Sequence, residues 1–265
     1  MGDRGYMTAY EIIIIVIMVM LGACFASFIN AYALRSAVGV SNIKGRSNCP
    51  ACGKTLTWYD LIPIISWLIL LGKCSGCKKP ISPRYLITEI VCAGASALVF
   101  IRYGISLMTP LAFGVIIILL AIALVDISTT EIPNGLILAL IPFAIAAIWI
   151  RPEATLLDTL INRGIGIVAV SVPMFILAFM IGGFGGADVK LMAVCGFLLG
   201  WQTLLIAFFL GVLTGGAAAI IKLVLKKVKR KDQMVFGPYL CFGITAAMLY
   251  GDRILSLYEM YMRLF

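Results

Sequence analysis

The chain has 265 residues, of which 62% are hydrophobic and only 12% charged, whereas an ordinary soluble domain is about 25% charged. That composition excludes disorder, a collagen-like repeat and a disulfide scaffold, and marks an integral membrane protein. The net charge of +9, from 21 Lys and Arg against 12 Asp and Glu, reports membrane orientation before nucleic-acid binding, because basic residues collect in cytoplasmic loops.

Apolar segments recur at about 10–34, 86–101, 105–125, 136–150, 164–182, 189–200, 203–225 and 236–250. Since roughly 20 apolar residues cross a bilayer, they predict an all-α polytopic membrane protein with about eight transmembrane helices. Near the first of them, Leu21-Gly22-Ala23-Cys24 has the form of a lipoprotein cleavage box. Asp3 and Glu11 against Arg4 make a poor basic leader, so the segment reads as a membrane span.

Between the first two spans lies the largest polar insertion, 35–84. It holds eight basic residues (Arg35, Lys44, Arg46, Lys54, Lys73, Lys78, Lys79 and Arg84) against one acid, Asp60, which predicts a cytoplasmic location. Within it the run Leu61 to Leu71, broken by Pro63, is too short to cross and reads as an interfacial or re-entrant piece. Eight alternating spans then put Lys190 and the run Lys222, Lys226, Lys227, Lys229, Arg230 and Lys231 on the cytoplasmic side. Arg4, Arg102, Arg151, Arg163, Arg253 and Arg263 fall on the other, with both termini outside. The basic run needs no nucleic acid to explain it.

Cys49-Pro50-Ala51-Cys52 and Cys74-Ser75-Gly76-Cys77 are two CxxC knuckles separated by 21 residues. This is the spacing of a four-thiolate zinc site. A reducing cytosol disfavours disulfides, so structural zinc is preferred to a redox or iron centre. Lys54, Lys73 and Lys78 offset its charge. Four protein ligands leave no open position for water, so the metal folds the insertion and does not catalyse. Cys24, Cys92, Cys195 and Cys241, scattered in apolar spans, read as core residues.

The chain contains no histidine, which removes Ser-His-Asp triads, HExxH zinc proteases and His-ligated haem or copper. Any hydrolysis must run on other groups. Two carboxylates stand out, because charge at membrane depth is costly. Asp126 directly follows the apolar run Leu107 to Val125. Asp188 ends the tract Gly182-Gly183-Phe184-Gly185-Gly186-Ala187. The topology places both at the cytoplasmic edge. Two aspartates brought together keep one proton between them, the requirement for aspartyl proteolysis, and the glycines would let a substrate backbone approach. Equally, Asp188 with Lys190 suits an interfacial ion pair, and Asp126 a cap on the turn into Ile132-Pro133-Asn134. Glu89, near the same face, suits pairing with a basic loop residue or contact with a substrate amine.

Several motifs in order resemble those of the bacterial type IV prepilin peptidases, the bifunctional leader peptidase and N-methyltransferase group. They run from Gly22 with Ser27-Phe28-Ile29-Asn30, through the first knuckle, Leu56-Thr57-Trp58-Tyr59-Asp60-Leu61-Ile62-Pro63 and Ser66-Trp67-Leu68, to Gly72-Lys73-Cys74. Ile81-Ser82-Pro83-Arg84-Tyr85 with Glu89, Asp126 with Ile132-Pro133-Asn134, Asp188-Val189-Lys190 and Phe236-Gly237-Pro238-Tyr239 complete the series. The resemblance implies a GxGD-type membrane aspartyl protease with Asp126 and Asp188 as its catalytic pair. It also implies zinc on Cys49, Cys52, Cys74 and Cys77. Gly72 and Lys73 match positions associated with N-methylation by S-adenosylmethionine. The implied substrates are prepilins or pseudopilins, cut at the cytoplasmic face of the bacterial inner membrane in contact with lipid. One departure is Ala187 where the family has glycine, which would fail wherever only glycine tolerates the backbone angle.

The expected organisation is a first transmembrane helix over 1–35, a cytoplasmic zinc-binding domain over 36–85 and a membrane protease core over 86–265. A proton-coupled transporter and a zinc-bearing scaffold are the rivals. The aspartates map to span ends, against the first, and a scaffold needs neither carboxylate.

Overall fold

Long apolar runs without breakers fold as helices in a membrane protein because a helix satisfies every backbone N–H and C=O within its own segment. The structure, a computed structural model, describes residues 8–37, 47–181, 185–225 and 235–263. Among these it contains nine α-helices and one short 3-10 turn. Six helices are long and apolar enough to cross a membrane. The expected spans at 136–150 and 189–200 appear as shorter helices of 17 and 14 residues. Arg4, Lys44, Arg46, Gly182-Gly183-Phe184 and the basic run from Lys226 to Lys231 lie outside the described residues.

The chain divides into two units, Met1–Thr109 and Pro110–Phe265. The first holds α1 (Ala9–Ala37), the 3-10 turn Trp58–Leu61, α2 (Ile65–Ile69) and α3 (Pro83–Tyr103). Helix α3 starts cleanly because Pro83 occupies its first turn and Ser82 Oγ accepts the Arg84 N–H at 3.3 Å. It packs along α1 at Gly22, where a side chain would collide with Ser96. A buried polar pair, Asn30 Nδ2 donating to Thr88 Oγ1 at 2.5 Å, fixes the register. Cys92 is buried here as expected, but Cys24 is exposed, because it points away from the α1–α3 seam.

The second unit contains α4 (Met108–Thr129), α5 (Asn134–Ile150), α6 (Leu156–Ile181), α7 (Gly186–Leu199), α8 (Trp201–Val224) and α9 (Gly237–Met262). Lipid removes the hydrophobic drive between helices, so close backbone approach has to hold them. Accordingly α6 and α7 meet at Gly166 and Gly196, each backbone filling the space a side chain on the other would need. Gly243 of α9 lies in the same way against Ala207 and Gly211 of α8. Helix α7 packs on α5, α6, α8 and α9. Its Leu191, Met192 and Cys195 are fully enclosed.

Candidate active site and metal centre

The two CxxC segments fold into matching hairpins. Isolated bridges Asn48 to Thr55 and Lys73 to Pro80 frame them. Cys49 N–H donates to Lys54 O and Cys74 N–H to Lys79 O, both at 2.9 Å. In each, the residue four beyond the first cysteine is left-handed: Gly53 at φ 71° and Lys78 at φ 58°. The first knuckle thus has glycine where the second bears some strain. The Sγ atoms of Cys49, Cys52, Cys74 and Cys77 lie within 4.8 Å of one another, with Cys49 and Cys77 at 4.0 Å. A tetrahedral zinc thiolate, with bonds of about 2.3 Å, puts its sulfurs about 3.8 Å apart. The cluster can therefore hold a metal ion. Backbone N–H groups of Cys77 and Gly76 draw the Cys74 thiol down to about 6, preparing a thiolate ligand. Lys54 Nζ of one knuckle donates to Ser75 Oγ of the other at 2.9 Å.

Gly72 adopts φ 67°, and a side chain there would press within 2.6 Å of the Trp67 ring. Its N–H donates to Trp67 O at 2.8 Å, and its carbonyl accepts from Ile81 at 2.7 Å. Both backbone groups are spent on the turn, whereas the neighbouring Lys73 is exposed. Glu89 is buried. It accepts the Ile64 N–H at 2.7 Å and a hydrogen bond from the Ser27 side chain.

In the second unit, Asp126 lies in the last turn of α4 and Asp188 in the first turn of α7, with exposures of 6% and 8%. They are near enough for Asp188 to feel the charge of Asp126. The Gly237 N–H, at the start of α9, donates to the Asp126 carboxylate. A side chain at Gly237 would run into Asp126 Oδ2 and pass 3.1 Å from its Cγ. Asp188 Oδ2 accepts the Gly185 N–H at 3.3 Å. Cys241 of α9 feels both carboxylates and Cys195 of α7, so three helices, α4, α7 and α9, converge. Lys190 Nζ donates to Asn134 Oδ1 at 3.2 Å, and the turn after α4 is closed by the Asp126 carbonyl accepting from Thr130 at 2.8 Å. Ala187 lies within α7, outside the set of left-handed residues, so this position makes no demand that only glycine meets.

Sequence reasoning missed one buried charge. Arg163 of α6 is 5% exposed. Its guanidinium donates to the carbonyls of Phe197 at 2.8 Å and Leu198 at 2.6 Å at the end of α7, and of Ala147 at 2.8 Å and Arg151 at 3.4 Å at the end of α5. Its place immediately before the apolar run at 164–182 was the available signal.

Fold and site together define a polytopic α-helical membrane protein with a buried carboxylate pair and a separate four-thiol centre. The Bacterial Peptidase A24 N-terminal domain matches residues 20–103, and the Type IV leader peptidase family matches 113–220. The chain is 38% identical over 245 residues to a prepilin leader peptidase/N-methyltransferase of Bacillus subtilis, covering 91% of this chain and 96% of that protein. It is 33% identical over 224 residues to the one of Stutzerimonas stutzeri, covering 82% and 76%. With the one of Pseudomonas aeruginosa it shares 28% over 282 residues, covering 96% of each. No solved structure matches. The chain belongs to the type IV leader peptidase family and is an enzyme of that class.

Proposed function

We propose that this chain is a membrane-embedded aspartyl endopeptidase that removes the leader of type IV prepilins or pseudopilins, and that Asp126 and Asp188 are its catalytic pair. The observation that carries the reading is that two buried carboxylates, from the end of α4 and the start of α7, lie near enough for Asp188 to feel the charge of Asp126. Sharing one proton, they supply both halves of amide hydrolysis. The ionised member takes a proton from water, whose oxygen attacks the scissile carbonyl carbon, while the protonated member gives its proton to the carbonyl oxygen. On collapse the C–N bond breaks as the carboxyl that took the water proton passes it to the leaving nitrogen, and a diol hydroxyl returns its proton to the other carboxylate, restoring the singly protonated pair. The Gly237 and Gly185 N–H groups orient the carboxylates. The basic insertion supports a cytoplasmic site in a bacterial inner membrane, reached by a substrate whose apolar helix lies in the bilayer. It also supports the division at 1–35, 36–85 and 86–265.

Two further roles complete the proposal. Zinc on Cys49, Cys52, Cys74 and Cys77 would hold the insertion folded. S-adenosylmethionine, when bound, would supply the methyl group for the new N-terminal amine. Gly72 would shape the turn, and the exposed Lys73 ammonium would face the donor's carboxylate. The names of the relatives support methyl transfer.

Co-expression with a prepilin tests the peptidase. Asp126→Asn and Asp188→Asn should each abolish leader removal while leaving the protein in the membrane. Normal cleavage by either variant would remove that residue from the pair. The mass of the mature pilin reads methylation separately, as one added CH₂.

A further inference from the structure

A patch of the first unit is apolar, exposed and unexplained by the chemistry above. The 3-10 turn and α2 present Trp58, Tyr59, Ile65, Leu68, Ile69 and Leu71 on the surface, with Ile69 75% and Leu71 79% exposed. In water such a patch would be an aggregation hazard.

Its tether sets its depth. The Ile64 N–H, immediately before α2, donates to Glu89 Oε2 at 2.7 Å. Ile64 sits at φ 63°, unfavourable for a β-branched residue, so this contact has to be specific. Helix α3 runs for 21 residues from Pro83, about 31 Å at 1.5 Å per residue, against a hydrocarbon thickness of about 30 Å. Glu89 is six residues into it, about 9 Å along the axis. The head of α2 is therefore fastened about 9 Å below the end of a spanning helix, within the depth of about 5–10 Å to which an interfacial helix sinks its apolar face. Ile87, Ile90 and Val91 on that stretch of α3 are likewise exposed.

Composition agrees with depth. Trp and Tyr favour the membrane interface, and Trp58 and Tyr59 pack edge to face with centroids 5.8 Å apart. Lys78 and Lys79, later in the same insertion, are exposed, and basic side chains there can meet anionic headgroups. We propose that residues 58–71 lie at the boundary between headgroups and acyl chains of an anionic leaflet, so that the four-cysteine insertion is docked on lipid. A five-residue helix and a short turn cannot span; they rest at the interface, their apolar side chains pointing to the acyl chains and the following lysines to phosphate.

The test uses the full chain in nanodiscs of phosphatidylcholine with phosphatidylglycerol. A benzophenone amino acid replaces Ile69 or Leu71 in separate variants, and Ile90 on the exposed face of α3 in a reference variant, each checked for a monodisperse particle. After irradiation, mass spectrometry should find phospholipid adducts at Ile69 and Leu71 within about threefold of the Ile90 yield. Phosphatidylglycerol should be enriched in them about twofold over its mole fraction. Yields about tenfold below Ile90, or adducts mainly to protein, whether to the same chain or to added prepilin, would overturn the proposal. Labelling of the two lipids in simple proportion would overturn its anionic part.

Discussion

Replacing Arg163 by methionine removes a charge that the structure uses as a staple. Its guanidinium makes three hydrogen bonds of 2.8 Å or less, to Phe197, Leu198 and Ala147, and a longer one to Arg151. These carbonyls close α7 and α5, the ends where orphan acceptors and the negative pole of the helix dipole coincide. Hydrogen bonds from a charged donor are worth about 1.5–3 kcal/mol each, so three amount to roughly 5–9 kcal/mol gross. Relief from burying the guanidinium offsets several kcal/mol of that, leaving a net loss of about 3–5 kcal/mol for Arg163→Met. Arg163→Lys keeps the charge but lacks the planar fork and should fall between. Unfolding of the detergent-solubilised protein by increasing SDS reads the difference. Because α7 also carries Asp188, leader cleavage should fail at lower temperature in the variant. A loss under about 0.5 kcal/mol, the range of an ordinary surface substitution, would refute the staple.

Gly237→Ala should lower the rate of leader cleavage about 10- to 100-fold with little change in KM, since overpacking of about 1–3 kcal/mol falls on Asp126; single-turnover kinetics would show it, and a fully active variant would contradict the contact. Thr88→Val should cost about 1–3 kcal/mol by taking the acceptor from the buried Asn30 amide, and Asn30→Leu should cost less, since the Thr88 hydroxyl still donates to the Arg84 and Tyr85 carbonyls. The double variant should cost less than their sum, and SDS titration of all four proteins measures the coupling. Metal analysis of the purified protein should find about one zinc per chain. It should be lost in a Cys49→Ser, Cys74→Ser double variant, with proteolysis then cutting between the knuckles; a folded, metal-free wild type would count against the centre.

What could be read along the chain was local. The long apolar runs announced the helices, and the repeated CxxC spacing announced the knuckles, because both depend on residues close in sequence. Asp126 and Asp188 were singled out because a carboxylate at a span end is expensive, and the ordered motifs supplied their pairing. The interruption at Pro63 marked a run too short to cross, and α2 lies there.

Long-range packing decided the rest. The sequence left Glu89 open between a basic partner and a substrate amine, whereas the fold spends it on Ile64 and Ser27. Glycines that look alike in sequence have different duties: Gly237 clears room for Asp126 and Gly72 for the Trp67 ring, while nothing fills the space beside Gly186. Arg163 looked like one more extracellular charge until the ends of two helices closed around it. Which backbone approaches which, and which orphan carbonyl finds a donor, depends on segments far apart along the chain, and pattern and spacing carry no record of such meetings.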